Sequence, residues 1–462
     1  MSEVRLGRIA GPFPSPPLPN FICSPLSLKE KSTPGKYRLL HNLSYPYDAR
    51  SVNFNIPDEI SSLQYASVYD AIKVLIRYDS CFMAKADIKE AYRLIPLAPN
   101  CYNLLGFQLE GQYFYDRCLP MGASSSCAIF EKFSDSLVYI LKEVYKVKHI
   151  IKMLDDFLFI GESEILCKYA LDSFRHLCKL IGVPLAEEKT VLPCTCLIFL
   201  GIQLDKDRNE ASIPPDKVSA YLSEIRDLRK RSRCSYKELK SAIGKLQFAS
   251  AIVPSGRCFL RRLHDATAGP KSSFSQVRIS LEMKADLEVW EDFLSRFNGR
   301  ALFLLDGPLT STDLHMCSDS SKEGYGATFG PHFLVGRFPG KWRSFDIQTL
   351  ELYPIFALIM VFGDQMANKA ISIYCDNSAV VDILNKQTSK SGKIMSLLRP
   401  LILTLLCHNI RFKACHLPGV QNTLCDSLSR QQMTPELLLE HGMDPTPTPI
   451  PARFLPENWN LQ

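Results

Sequence analysis

The sequence is poor in the features that announce a secreted or membrane protein. Sixteen cysteines among 462 residues are sparse and irregularly spaced, which excludes a disulfide scaffold. Cys194-Thr-Cys196 has no second ligand pair at zinc-finger spacing, so no zinc site is read there. Residues 1–20 hold no apolar stretch of the signal-peptide kind and carry five prolines instead. The longest apolar run, residues 353–363, is too short to span a bilayer. No repeat of solenoid period is present. Nor is there a large excess of one charge: 54 Lys and Arg face 48 Asp and Glu, a net of +6. Together these absences predict a reduced intracellular protein, in the cytoplasm or nucleus, with buried thiols.

What is present is ordinary globular material. Hydrophobic residues make up 46% and charged residues 22%, which excludes a mainly disordered chain. The length predicts about three domains. Both ends are proline-rich: Pro12, Pro14, Pro16, Pro17 and Pro19 near the start, Pro445, Pro447, Pro449 and Pro451 near the end. Proline fixes φ and removes a donor, so both segments read as extended. Residues 128–142 read as a helix with Ile129, Phe130, Phe133, Leu137 and Ile140 on one side. Residues 150–154 and 157–160 read as the two strands of a hairpin with Asp155 and Asp156 at its tip. A new α/β pattern starts at His315. The charge is also localised: residues 217–262 hold 12 Lys and Arg against 3 Asp and Glu, a net of +9. Such a segment fits a grip on nucleic-acid phosphates as well as a solvated helix face.

Asp87, Asp155 and Asp156 each follow an apolar run, where an unpaired carboxylate is costly. Two adjacent ionised acids repel, and a divalent cation removes that repulsion. On neighbouring strands, Asp87 and Asp155 could hold two Mg²⁺ ions in the arrangement polymerases and nucleases use.

The surrounding residues carry a specific resemblance. Lys85-Ala86-Asp87-Ile88-Lys89-Glu90-Ala91-Tyr92-Arg93-Leu94-Ile95-Pro96-Leu97 resembles the A motif of reverse transcriptases. Leu119-Pro120-Met121-Gly122-Ala123-Ser124-Ser125 resembles their B motif, and Met153-Leu154-Asp155-Asp156 their Tyr-x-Asp-Asp box. Ile181-Gly182-Val183-Pro184 with Lys189 resembles the D motif, and Phe199-Leu200-Gly201-Ile202 the E motif. Their order fits the family over residues 33–265. The resemblance implies that Asp87 and Asp155 bind two metals and that Asp156 supports them. It further implies that Tyr92 excludes a ribose 2′-OH, that Arg38, with Lys36 nearby, contacts the triphosphate, that Gly122 lets the backbone approach the nucleotide, and that Lys189 protonates the leaving pyrophosphate. Two positions depart from the pattern: Met153 stands where Tyr is usual, and Met121 where many members carry Gln. Arg229, Lys230, Arg231, Arg233, Lys237, Lys240 and Lys245 fall where the family has its thumb.

A second set of acids follows. Asp319, Glu351, Asp376 and Asp426 sit at the ends or starts of predicted elements, fitting a second two-metal site. The set resembles the ribonuclease H of retroelements, and His416, ten residues before Asp426, matches that family's mobile histidine. Gly7-Arg8-Ile9-Ala10-Gly11-Pro12-Phe13, Met121 and Ser126-Cys127 resemble DIRS-type retrotransposons, with gypsy-type polymerases the nearest neighbour.

The implied fold is α+β: a right-hand polymerase of fingers, palm and thumb, followed by an α/β ribonuclease H-like domain. The expected boundaries are an N-terminal segment at 1–32, fingers and palm at 33–205, thumb and connection at 206–300, the nuclease-like domain at 312–432 and a tail at 433–462. The implied activity is RNA- and DNA-directed DNA synthesis plus hybrid cleavage, with Mg²⁺ or Mn²⁺ as cofactor, two ions per site. The implied partners are an RNA template, a DNA primer, an RNA–DNA hybrid and dNTPs, with no membrane. No recombinase, protease or integrase is recognised, so a fragment or domesticated copy is expected. The rival readings are an inactive nucleic-acid-binding relic and a polymerase whose nuclease-like domain is structural.

Overall fold

The computed structural model describes residues 2–30, 35, 37–252, 254–269, 272–296, 301–302, 316–367, 369–408 and 410–459. The chain forms two compact units, Met1–Ala211 and Ser212–Gln462.

In the first unit the strands are β1 (Ile9–Phe13), β2 (Leu26–Glu30), β3 (Tyr37–His41), β4 (Phe82–Asp87), β5 (Gly106–Leu109) and β6 (Gln112–Asp116). Then come α1 (Ser126–Glu143), β7 (His149–Met153), β8 (Asp156–Gly161), α2 (Glu164–Ile181), β9 (Val191–Cys194), β10 (Cys196–Phe199) and β11 (Ile202–Asp205). One sheet has the order β1-β6-β5, a second has β7-β8-β4-β9, and β2 pairs with β3. The helix expected at 128–142 is α1, and the expected acid-tipped hairpin is β7–β8.

The second sheet is the floor of this unit. Phe157 and Phe159 of β8, with Ala84 and Ala86 of β4, are buried under α1 and α2. The α2 sequence places Cys167, Ala170, Leu171, Phe174, Leu177 and Cys178 on one stripe, and all six are buried. Ser163 caps its start by accepting the Leu166 N–H, and Gly182 ends it in the left-handed region at φ 75°. The apolar run at 197–204 is split into β10 and β11 because Leu200 and Gly201 both take positive φ, 49° and 79°. That is the backbone a two-residue hairpin turn demands.

The proline-rich N-terminal segment is more integrated than its composition suggests. A helical turn, Ser2–Arg5, precedes β1, and β1 pairs antiparallel with β6. Arg93 bridges Glu3 at 3.1 Å and buried Asp116 at 2.7 Å.

The longer helices at the start of the second unit are α3 (Pro215–Lys230), α4 (Tyr236–Ala249) and α5 (Leu281–Arg296). The strands β12 (Cys317–Ser320), β13 (Gly324–Phe329) and β14 (His332–Arg337) follow, then α6 (Ile347–Phe362), β15 (Ala370–Cys375), α7 (Ser378–Lys386), α8 (Gly392–Cys407), β16 (Arg411–His416) and α9 (Thr423–Ser429). The sheet order is β14-β13-β12-β15-β16. The first three strands form an antiparallel meander; β15 runs parallel to β12, and β16 parallel to β15. Parallel neighbours need crossover helices, which α6, α7 and α8 supply.

Two expectations need correction here. The apolar run at 353–363 belongs to a longer helical stretch, Ile347–Met366, which is 20 residues long and apolar enough to cross a membrane. It is a core helix instead, with 72% of that window buried. The basic segment is also less free than its count implies. Arg226 and Arg229 pair with Glu291, Arg229 also with Glu288, and Lys245 with Glu224. Glu288 and Glu291 lie on α5, outside the segment where the charges were counted. Lys230, Arg233, Lys237 and Lys240 are exposed.

The proline-rich tail lies on this second unit. The Thr448 N–H donates to the Phe333 carbonyl at 2.9 Å, and the Tyr353 hydroxyl donates to the Phe454 carbonyl at 3.1 Å. The Phe356 ring packs on both Phe454 and Trp459.

Two candidate carboxylate centres

The first centre is built by β4 and the β7–β8 hairpin. Asp87 faces Asp156 in the antiparallel register, and the Ile88 N–H donates to the Asp155 carbonyl at 3.0 Å. Three carboxylates therefore converge at one end of the sheet. Lys189 Nζ lies 3.0 and 2.9 Å from the two Asp87 carboxylate oxygens, and Lys85 Nζ lies 3.1 Å from Asp156. Burial raises the Asp87 pKa, against the pull of Lys189. Burial, then the charge of Asp87, pushes Asp155 up to about 6. These acids are held where their charges are costly, as a cation-binding set would be.

The hairpin tip is strained. Leu154 takes φ 57°, the left-handed region that costs a non-glycine residue about 1–2 kcal/mol. Helix α1 holds it there. The Leu154 N–H donates to Glu131 Oε2 at 3.1 Å, and Ser134 Oγ donates to the Leu154 carbonyl at 2.9 Å. Lys152 on β7 pairs with Glu131 at 2.6 Å and Asp135 at 2.9 Å. Sequence reasoning missed Glu131 and Ser134. The available signal was their spacing with Cys127 and Phe130, which places all four on one helical stripe of an otherwise apolar face.

The other predicted residues sit as follows. Tyr92 lies on a short 3₁₀ turn, half-buried, its hydroxyl 3.0 Å from Cys127 Sγ and its ring edge-on to Phe130. Gly122 has φ 143°, and a Cβ there would collide with the His41 backbone. The close approach that glycine permits here is thus to β3. The Gly122 carbonyl also accepts the Asn53 side-chain amide at 2.9 Å. Arg38 lies on β3, with its side chain outside the described residues, as is Lys36. Met153 ends β7, opposite Asp156.

The second centre gathers four acids in the second unit. Asp319 is on β12, Glu351 on α6, Asp376 directly after β15, and Asp426 on α9. Burial is the main cause of a raised pKa at Asp319, Glu351 and Asp376, reinforced by their mutual charge and by Asp426. Glu351 is pushed furthest, to about 9. It is 5% exposed, and its Oε2 has no hydrogen-bond partner. Asn377 caps α7 by accepting the Ala379 and Val380 N–H groups, which fixes the strand end that carries Asp376. Ser429 Oγ donates to Asp319 at 2.5 Å, and Arg430 Nε donates to Asp426 at 2.8 Å. His416 ends β16, its Nε2 3.0 Å from the Asp376 carbonyl. Ser429 and Arg430 were not singled out from the sequence as site residues. Glu351, Asp376 and Cys375 bring possible ligand atoms within 4.8 Å of one another.

Residues 28–204 match the family described as reverse transcriptase (RNA-dependent DNA polymerase). This stretch is similar to reverse transcriptase domains. It contains the whole first centre. The chain is 20% identical over 374 residues to a putative enzymatic polyprotein of Cassava vein mosaic virus, covering 76% of this chain and 52% of that protein. It is 22% identical over 374 residues to the retrovirus-related Pol polyprotein from transposon gypsy of Drosophila melanogaster, covering 76% of this chain and 33% of that protein. The chain thus spans about half or less of these relatives. Among solved structures, a foamy viral protease-reverse transcriptase dRH in complex with ds DNA superposes with a TM-score of 0.50 at 16% identity. That match covers 89% of this chain and 68% of the other. The fold is α+β, a mixed arrangement of sheets and helices consistent with that of a reverse transcriptase polymerase.

Proposed function

We propose that the chain is an RNA- and DNA-directed DNA polymerase with a second, hybrid-cleaving ribonuclease H centre, from a retrotransposon or a domesticated copy. The observation that carries this reading is the convergence of Asp87, Asp155 and Asp156 on one sheet end inside the stretch similar to reverse transcriptase domains. The substrates would be a primer paired to an RNA or DNA template, dNTPs, and an RNA–DNA hybrid. The Gly7–Phe13 run, Met121 and Ser126-Cys127 favour a DIRS-type element over a gypsy-type one. Such a chain would work inside the cell, in cytoplasm or nucleus.

The residues present fit a divalent cation at both centres. At the first, a lysine ammonium sits against both Asp87 oxygens; at the second, Glu351 has an unpartnered oxygen. Asp87 and Asp155 would hold two Mg²⁺ or Mn²⁺ ions, with Asp156 in support. Asp319, Glu351, Asp376 and Asp426 would hold two more. Bound metal would lower the pKa of the attacking oxygen and neutralise charge on the leaving group. The chain's own part is positioning. Glu131 and Ser134 fix the hairpin, Tyr92 bounds the sugar pocket, and Lys189 holds a proton within reach of a leaving phosphate. His416 would assist hybrid cleavage beside Asp376.

All seven acids are intact, which favours an enzyme over an inactive relic. Primer extension on poly(rA)/oligo(dT) with Mg²⁺ or Mn²⁺ tests the first centre. Asp155→Asn should abolish extension; extension at the wild-type rate would refute the assignment. Asp426→Asn should spare extension and impair cleavage of a labelled hybrid. Undiminished cleavage would make the second centre structural.

A further inference from the structure

One helix stripe serves two parts of the first centre. Glu131 and Ser134 of α1 hold the Asp hairpin, and one turn earlier Cys127 and Phe130 hold Tyr92. The Tyr92 ring meets Phe130 edge-on at 5.6 Å and 88°, and its hydroxyl shares a hydrogen bond with the Cys127 thiol at 3.0 Å. The thiol is itself a fixed point. Cys127 is the second residue of α1, and the preceding Ser126 Oγ donates to the Pro120 carbonyl at 2.7 Å, tying the helix start to the Leu119–Gly122 loop.

A ring that rejects a 2′-OH does so by occupying its volume, so discrimination depends on how tightly the ring is held. Packing on Phe130 restrains one side of it but leaves the hydroxyl end able to pivot. We propose that Cys127 is the positioning residue for sugar selection: its thiol tethers the Tyr92 hydroxyl and keeps the ring closed over the sugar pocket. This rests on the reading of Tyr92 as the residue facing the nucleotide sugar. Cys127 itself touches no substrate; it acts through Tyr92.

The readout is the ratio of kcat/KM for a dNTP to that for the matching rNTP, in the full chain. Losing one neutral hydrogen bond should lower that ratio about five-fold in Cys127→Ala. Cys127→Ser keeps a donor and acceptor and should return the ratio towards wild type. Tyr92→Phe, which removes the other end of the bond, should lower the ratio equally, and the double variant should be no worse than either single one. A general loss of folding or positioning reduces both substrates together and leaves the ratio intact; that result, or additive effects in the double variant, would overturn the proposal. A second measurement needs no polymerase activity. Iodoacetamide alkylation of Cys127, followed by peptide mass spectrometry, should be faster in Tyr92→Phe than in wild type, and an equal rate refutes the tether. A wild-type chain that extends no primer overturns the polymerase reading and the sugar-selection role with it, while the alkylation rates still decide the tether.

Discussion

Glu351 sits in the apolar core helix α6 with one carboxylate oxygen unpartnered, and its pKa is pushed up to about 9 by burial first and by Asp319 and Asp376 second. The consequence for stability has a definite sign. The folded state holds a proton that the unfolded state releases near its ordinary pKa, 4.5. Stability from this group is therefore complete below about pH 4.5 and declines as pH rises towards 9. Asp155, pushed up to about 6, adds a decline of the same sign between its ordinary 3.8 and that value. In EDTA, thermal melting of the second unit should shift down by several degrees between pH 5 and pH 8.5. Glu351→Gln should abolish most of that shift, and excess Mg²⁺ should raise the melting temperature at pH 8.5 in wild type but not in the variant. A melt that rises with pH in EDTA would contradict the burial of Glu351. Asp87, Asp155 and Asp156 stood out in the sequence because each follows an apolar run, whereas Asp319, Glu351, Asp376 and Asp426 stood out at the ends or starts of predicted elements and through their resemblance to a nuclease set. Which of them would be most perturbed was not legible: that depends on the neighbours α6 meets, and no spacing in the sequence encodes them.

Elements show the same division. The β7–β8 hairpin and the helix at 126–143 follow from local pattern, so both were foreseen nearly to the residue. The link between them was not, because it runs through a buried polar group on a helix whose face is otherwise apolar. Glu131 and Lys152 are 9% and 8% exposed and pair at 2.6 Å, while Glu131 also accepts the Leu154 N–H. Glu131→Ala leaves Lys152 with Asp135 and the backbone carbonyl of residue 131, and orphans the donor of a strained residue. Urea unfolding should show a loss of roughly 2–4 kcal/mol in the first unit. Primer extension should fall more than folding predicts, because the hairpin carrying Asp155 loses its anchor. Glu131→Gln keeps the Leu154 contact and should recover part of the extension rate. Equal activity in both variants would separate Glu131 from the hairpin. The β10–β11 turn was legible only in part. Gly201 marked the interruption, but the left-handed Leu200 beside it carries no sequence mark.

At the scale of the whole molecule, the net charge of +6 conceals a strongly basic segment, and the structure shows how far that basicity is spent internally. Counted along the chain, residues 217–262 hold +9. Counted in space, α5 returns two acids to that surface: Glu291 binds Arg226 at 2.7 Å and also Arg229, and Glu288 binds Arg229 at 2.9 Å. A guanidinium so engaged is a weak phosphate contact, because the new partner must displace an existing one. The linear count missed this, since residues 288 and 291 lie beyond the segment. Glu291→Ala should release Arg226 and Arg229 to the surface. If helices α3 to α5 grip a duplex, the variant should bind a primer–template more tightly at low salt. Its plot of log K against log[salt] should steepen by about 0.9 for each additional phosphate neutralised. Fluorescence anisotropy with a labelled duplex between low and moderate salt measures both quantities. Tighter binding with an unchanged slope would place the gain outside phosphate contact, and no change in either would remove this face from the nucleic-acid path. Glu291 pairs with arginines that both reach solvent, Arg226 by about half and Arg229 by less, so the fold should lose little, on the order of 1 kcal/mol or less.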